Sequence, residues 1–219
     1  MKNRMNNTEL FGTGGAAPLV ILNTFEGEGR KVYDEAVKLT DRLFTLAAVT
    51  VPDWNGDLSP WEIPPISKSI GGFTGGGQRY LDLLTGTIIP DIKAQLGSEP
   101  QYTAIAGYSL AGLFALWSLS RTDIFSRTAS ISGSLWYTGF EEYAVSTPMR
   151  VRPDRIYLSV GDRETNTKNR YMSTVESCTE ALYRHYSHIG TDAEYELNKG
   201  DHFTDCAYRT AKGIAALLK

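Results

Sequence analysis

The chain has 219 residues, of which 42% are hydrophobic and 21% charged, and a formal net charge of −3. That length suits a single domain (residues 1–219) with one substantial core, and so mild a charge gives no general attraction to nucleic acid or to an anionic membrane. No apolar run approaches the roughly 20 residues of a membrane span, and Met1 to Thr8 lack the apolar segment of a secretory signal, so a cytoplasmic protein is expected.

Pro18 to Phe25 reads as a buried strand, with Gly12, Gly14 and Gly15 as turn punctuation before it. Val32 to Leu43 carries apolar residues at helical spacing, and Phe44 to Val51 is a second buried strand ended by Pro52. Asp53 to Gly77 is rich in Gly, Pro and Trp and has no clear period, which in a compact domain points to a functional or mobile segment. Gly77 to Leu96 has a helical pattern in which Pro90 predicts a break or kink. Tyr102 to Tyr108 is a third strand, running into a helix that continues through Trp117. Strands follow at Thr128–Ser134, Arg155–Gly161 and Ala193–Leu197, with helices at Thr167–Ile189 and Phe203–Leu218. Cys178 and Cys206 make neither a metal cluster nor a disulfide framework and are expected to be free thiols.

Strands alternating with helices imply a mostly parallel sheet covered on both faces. In such sheets the site lies beyond the carboxyl ends of the strands. Gly107-Tyr-Ser-Leu-Ala-Gly112 stands at one of those ends. A strand that turns sharply into a helix with one serine at the turn is the setting of the G-x-S-x-G nucleophile elbow. Here Ala111 replaces the last glycine of that motif and meets the same size limit. Taken alone, the pattern would equally suit a serine that caps a helix.

A serine nucleophile needs a base, and the base needs an orienting acid. Of three histidines, His185 and His188 lie on the long polar-faced helix, whereas His202 follows the last strand and precedes the last helix. Asp162 and Glu164 both follow Gly161 at the end of the fifth strand, and periodicity does not choose between them. The order Ser109, acid, His202 is that of the α/β-hydrolases. The expected oxyanion donors are the backbone N–H of Leu110 and, from the loop after the first strand, that of Phe25 or failing that Glu26. Trp136 and Tyr137, and Trp54 and Trp61 from the irregular segment, are the candidate pocket walls. Arg79 and Arg163 could meet an anionic substrate but read more readily as surface charges.

The runs Asp57–Trp61, Ala106–Ala115, Ile131–Trp136, Leu158–Glu164 and Gly200–Phe203 resemble the esterase family of α/β-hydrolases that includes enterobactin-type siderophore esterases, feruloyl esterases and S-formylglutathione hydrolases. Ser132 to Trp136 is closest to the siderophore-esterase branch. The resemblance covers nearly the whole chain and implies a three-layer α/β-hydrolase fold, a Ser-His-acid mechanism, a small-molecule ester substrate, and neither metal nor cofactor. It points to Glu164 as the acid. Many relatives have two strands before the one at Pro18, and the seventeen residues here hold one at most. That predicts a shortened sheet with an edge available to a partner chain, a second copy included. An acyltransferase with an alcohol acceptor is the alternative within this chemistry, and a non-catalytic binding module the alternative outside it.

Overall fold

The structure is a computed structural model that describes residues 8–67 and 71–219. The polar start at 1–7, and Lys68 to Ile70 within the segment read as irregular, lie outside the described residues.

Alternation inside the strands sets the layers. In β1 (Thr8–Gly12) only Phe11 is buried, as suits an edge, whereas every residue of β2 (Leu19–Thr24) is buried. Leu19 and Ile21 of β2 pack into one apolar cluster and Val20 and Leu22 into another, so the sheet is covered on both faces. The chain continues through α1 (Gly29–Ala36) to β3 (Thr45–Thr50), then through α2 (Trp54–Asp57) and the short β4 (Glu62–Ile63) and β5 (Phe73–Thr74). Next come α3 (Gly77–Leu83), α4 (Ile89–Leu96), β6 (Thr103–Tyr108) and α5 (Leu110–Ser118). β7 (Arg127–Ile131), α6 (Phe140–Ser146), β8 (Arg155–Gly161), α7 (Val175–His188), β9 (Asp192–Asn198) and α8 (Cys206–Leu217) complete it.

The seven-stranded sheet has the order β1-β3-β2-β6-β7-β8-β9, parallel throughout except for β1, which is antiparallel to β3. One face packs residues of α3 to α5 and α7, the other residues of α1 and α8. This is the three-layer α/β-hydrolase arrangement, and the residues before Pro18 supply one strand. Strand order reverses between β2 and β6, and the crevice beyond their carboxyl ends is the usual ligand position in an open α/β sheet. No helix among the described residues is long and apolar enough to cross a membrane.

Several boundaries differ from the sequence reading. α1 ends at Ala36 rather than Leu43, because Val37, Leu39 and Leu43 are exposed and have no core to face. α7 begins only at Val175, after a 3₁₀ turn at Met172–Thr174. The Asn169 side chain accepts from the N–H groups of Tyr171 (3.0 Å) and Met172 (3.2 Å) and so competes with helix extension. Between α3 and α4 the helix widens to a π turn over Leu84–Ile88, with Ile89 N–H bonded to Leu84 O. Pro90 has no N–H to donate, and the wider turn carries the chain past that gap without the expected break. The Asp53–Gly77 segment is not irregular throughout. Asp53 caps α2 through Gly56 N–H (3.0 Å), β4 pairs with β5, and Ser59 Oγ accepts from Gly75 N–H (2.8 Å).

Candidate active site

Ser109 stands between β6 and α5 with φ 57° and ψ −122°, a strained backbone for a residue with a side chain. Its carbonyl oxygen accepts from Gly112 and Leu113 of the helix and from Ser134 N–H, and its own N–H reaches Ile131 O, both of the latter at 3.0 Å. Small neighbours make this turn possible. A Cβ on Gly107 would lie 2.3 Å from the Ala111 carbonyl carbon and oxygen, and one on Gly112 would lie 2.8 Å from Ser130 Oγ. The sequence motif therefore has a steric basis on both sides of the serine.

His202 Nε2 lies 3.0 Å from Ser109 Oγ, and His202 Nδ1 lies 2.7 Å from Glu164 Oε2. Exposure falls along the series: the imidazole side chain is 23% exposed and the carboxylate 3%. Burial acts to raise the Glu164 carboxyl, but the hydrogen bonds from His202, Ser132 and Gly161 outweigh it and hold it below the ordinary range. An ionised carboxylate only accepts, so Nδ1 carries the proton toward Glu164, and Nε2 turns its lone pair to the serine hydroxyl.

Asp162 does something else. It is exposed, and its Oδ1 accepts from Gly200 N–H at 2.8 Å. Asp162 N–H bonds Asn198 O (2.8 Å) and Arg163 N–H bonds Gly200 O (3.1 Å), so the β8–β9 pairing continues past the strands into the acid and histidine loops. Gly161 is needed where they meet, since a Cβ there would lie 2.4 Å from Gly200 O.

Leu110 leads α5, where N-terminal amides have no carbonyl behind them and the helix dipole favours negative charge. Phe25 follows β2, whose Asn23 pairs with Gly107 of β6, so its backbone borders the serine turn. The Glu26 N–H is occupied by Glu28 Oε2 at 2.9 Å, which leaves Phe25 as the free choice of the two.

The four pocket candidates separate. Trp54 meets the Phe25 ring edge-on at 5.5 Å, beside that loop. Trp136 and Tyr137 are buried at 9% and 1% exposure and belong to the core cluster. Trp61 packs on Tyr137 and Tyr143, its Nε1 donates to Thr138 O at 3.1 Å, and Tyr137 OH donates to Trp61 O. Trp61 is thus a clasp between the α2–β4 segment and the loop after β7. A cavity of about 450 Å³ bordered by Trp136, Tyr137, Val145 and Cys178 touches neither Ser109 nor His202. Beside His202 stands one exposed aromatic ring, Phe203, edge-on at 5.3 Å, and a second exposed ring, Phe25, lies on Trp54 after β2. Arg79 pairs with Asp57 at 2.7 Å, and both cysteines are free.

Three contacts of the site were not read from the sequence. Ser132, itself at φ 45°, donates to Glu164 Oε1 at 2.7 Å. Tyr108 OH donates to His202 O at 2.7 Å. Buried Arg209 lies 3.3 Å from Glu164 Oε1. The strand-end position of Ser132 and Tyr108 was a usable signal for both.

A family model described as "Putative esterase" matches residues 26–206 of the chain. The chain is 30% identical over 152 residues to the uncharacterized protein YbbA of Bacillus subtilis (strain 168), a match that takes in 64% of this chain and 61% of that protein. The match therefore spans less than two thirds of the relative's length. Among solved structures, the siderophore hydrolase EstA from Aspergillus nidulans superposes with a TM-score of 0.72 at 18% identity, over 95% of this chain and 93% of that one. An IroE-like serine hydrolase from Shewanella oneidensis gives a TM-score of 0.75 at 18% identity, over 95% of this chain and 74% of the other. At such identities these two likenesses speak for the fold.

Proposed function

This chain belongs to the putative esterase family, and from that premise we propose that it is a serine hydrolase of carboxylic esters, with Ser109 as nucleophile, His202 as base and Glu164 as orienting acid. The observation that carries the reading is the unbroken pair of contacts, hydroxyl to imidazole at 3.0 Å and imidazole to carboxylate at 2.7 Å. His202 Nε2 takes the Ser109 proton as Oγ attacks the ester carbonyl, and the Leu110 and Phe25 amides face the developing oxyanion. The imidazolium then protonates the leaving alcohol. Water, deprotonated by the same nitrogen, attacks the acyl-enzyme, and the carboxylic acid leaves with Ser109 restored.

The exposed ring of Phe203 on His202, with that of Phe25 on the loop after β2, favours esters with an aryl or other flat apolar part, siderophore-type esters among them. Fluorophosphonate labelling and hydrolysis of p-nitrophenyl esters test the reading. Both are expected in the native protein and both are lost in Ser109→Ala; labelling that persists in the variant counts against it. Added acceptor alcohols divide hydrolysis from acyl transfer, because an acyltransferase would give a new ester in place of the free acid.

A further inference from the structure

Arg209 is a charged side chain that a Ser-His-acid triad does not itself require. It rises from the first turn of α8, and its side chain is only 2% exposed. Nη1 donates to Asp201 O at 2.9 Å and lies 3.3 Å from Glu164 Oε1, 3.4 Å from Ser132 Oγ and 3.4 Å from Tyr108 OH. Nη2 donates to Lys199 O at 2.7 Å. The two carbonyls flank Gly200, and His202 is the next residue along, so one guanidinium grips both the acid and the turn that presents the imidazole. Taking a guanidinium out of water is expensive, and an apolar residue of similar length usually packs as well. Its presence here therefore needs a reason beyond packing.

The reason lies in how Glu164 is divided. Oε1 receives Ser132 Oγ (2.7 Å), Gly161 N–H (2.7 Å) and Arg209, while Oε2 meets His202 alone. A carboxylate tied down on one oxygen by three donors cannot swing the other away. We infer that Arg209 is the positioning residue of the triad, holding Glu164 and the His202 turn to one another so that Oε2 stays on Nδ1 throughout turnover. This rests on the serine-hydrolase reading above. Planarity matters as well as charge, because only the fork of a guanidinium spans an acid and two carbonyls.

The test compares the native protein, Arg209→Met, Arg209→Lys, Glu164→Gln and the Glu164→Gln/Arg209→Met pair on a p-nitrophenyl ester. Arg209→Met is expected to lower kcat about 10- to 100-fold, the scale of a misplaced catalytic group, with KM within about twofold. Arg209→Lys should recover part of the loss. In the Glu164→Gln background the same Arg209→Met change should lower kcat by less than about threefold, because the group it positions is already disabled. Native kcat in Arg209→Met, or equal losses in the two backgrounds, would overturn the inference. If Arg209→Met does not fold, Arg209→Lys carries the comparison, with a kcat loss at unchanged KM expected in the native background only. If the native protein turns over no ester, the function assigned above fails first. Arg209 is then judged by the downfield Nδ1 proton resonance of His202, present in the native protein and absent from folded Arg209→Met; its survival there would end the proposal.

Discussion

Glu164 is a charged group placed almost wholly out of water, and its ionisation follows from its partners. Because its folded-state affinity for a proton lies below that of an ordinary glutamate, it stabilises the fold above the unfolded-state value, about pH 4.3. That contribution disappears as pH falls through the lower folded-state value. Glu164→Gln should be less stable than the native protein at neutral pH by about 3–5 kcal/mol, since it leaves Arg209 buried without its counter-charge. The difference should shrink on acidification, and thermal unfolding followed from roughly pH 7 to pH 3 will show the two curves converging. The meeting of Ser109 with His202 was legible in the sequence because each is a reactive residue type at a strand end. Arg209 was not, because an arginine among Cys206, Ala207, Tyr208 and Thr210 has the pattern of a helix surface, and only the packing of α8 against β7 and β8 shows that it points inward. That Glu164 and not Asp162 meets His202 was open to the spacing alone, since two carboxylates in one loop differ only in which way the turn aims them.

At the scale of elements, parallel strands and flanking helices were readable from apolar runs, whereas their ends depended on side-chain bonds and on which apolar residues find a core to face. The Asp53–Gly77 segment shows this best. Beyond its internal cap and β4–β5 pairing, it is fixed to the rest by single contacts with chain far away, chiefly Trp61 against Tyr137, Tyr143 and Thr138. Period and propensity cannot register such contacts. Trp61→Ala removes two ring contacts and one hydrogen bond at a half-buried position, and a loss of about 2 kcal/mol is expected. The loss should concentrate locally, so limited proteolysis is expected to cut first between α2 and β5, with the sheet left intact. Uniform digestion of Trp61→Ala would contradict the clasp.

At the scale of the whole molecule, the seven-stranded sheet has among the described residues one strand that runs against the others, and it stands at an edge. β1 is antiparallel, carries one buried side chain, and holds Phe11 against Tyr33 at 5.8 Å with Arg30 over its ring at 4.6 Å. Deleting residues 1–12 would leave the N–H and C=O row of β3 uncovered, and such rows recruit other chains. The shortened protein should self-associate on size-exclusion chromatography at concentrations where the native chain runs at a smaller size. Equal elution of the two would mean that β1 does not guard that edge.

The hydrogen bonds that carry the β8–β9 ladder beyond the sheet, from Asp162 to Asn198 and Gly200 and from Arg163 to Gly200, have a consequence for motion. Those bonds tie the acid and imidazole loops to each other at several points, while the hydroxyl rides on the β6–α5 elbow, which meets the imidazole turn through Tyr108 OH on His202 O. Warming should therefore loosen the reach from oxygen to nitrogen well before it disturbs the grip of carboxylate on ring, and activity should fade with temperature ahead of any loss of the bound acid.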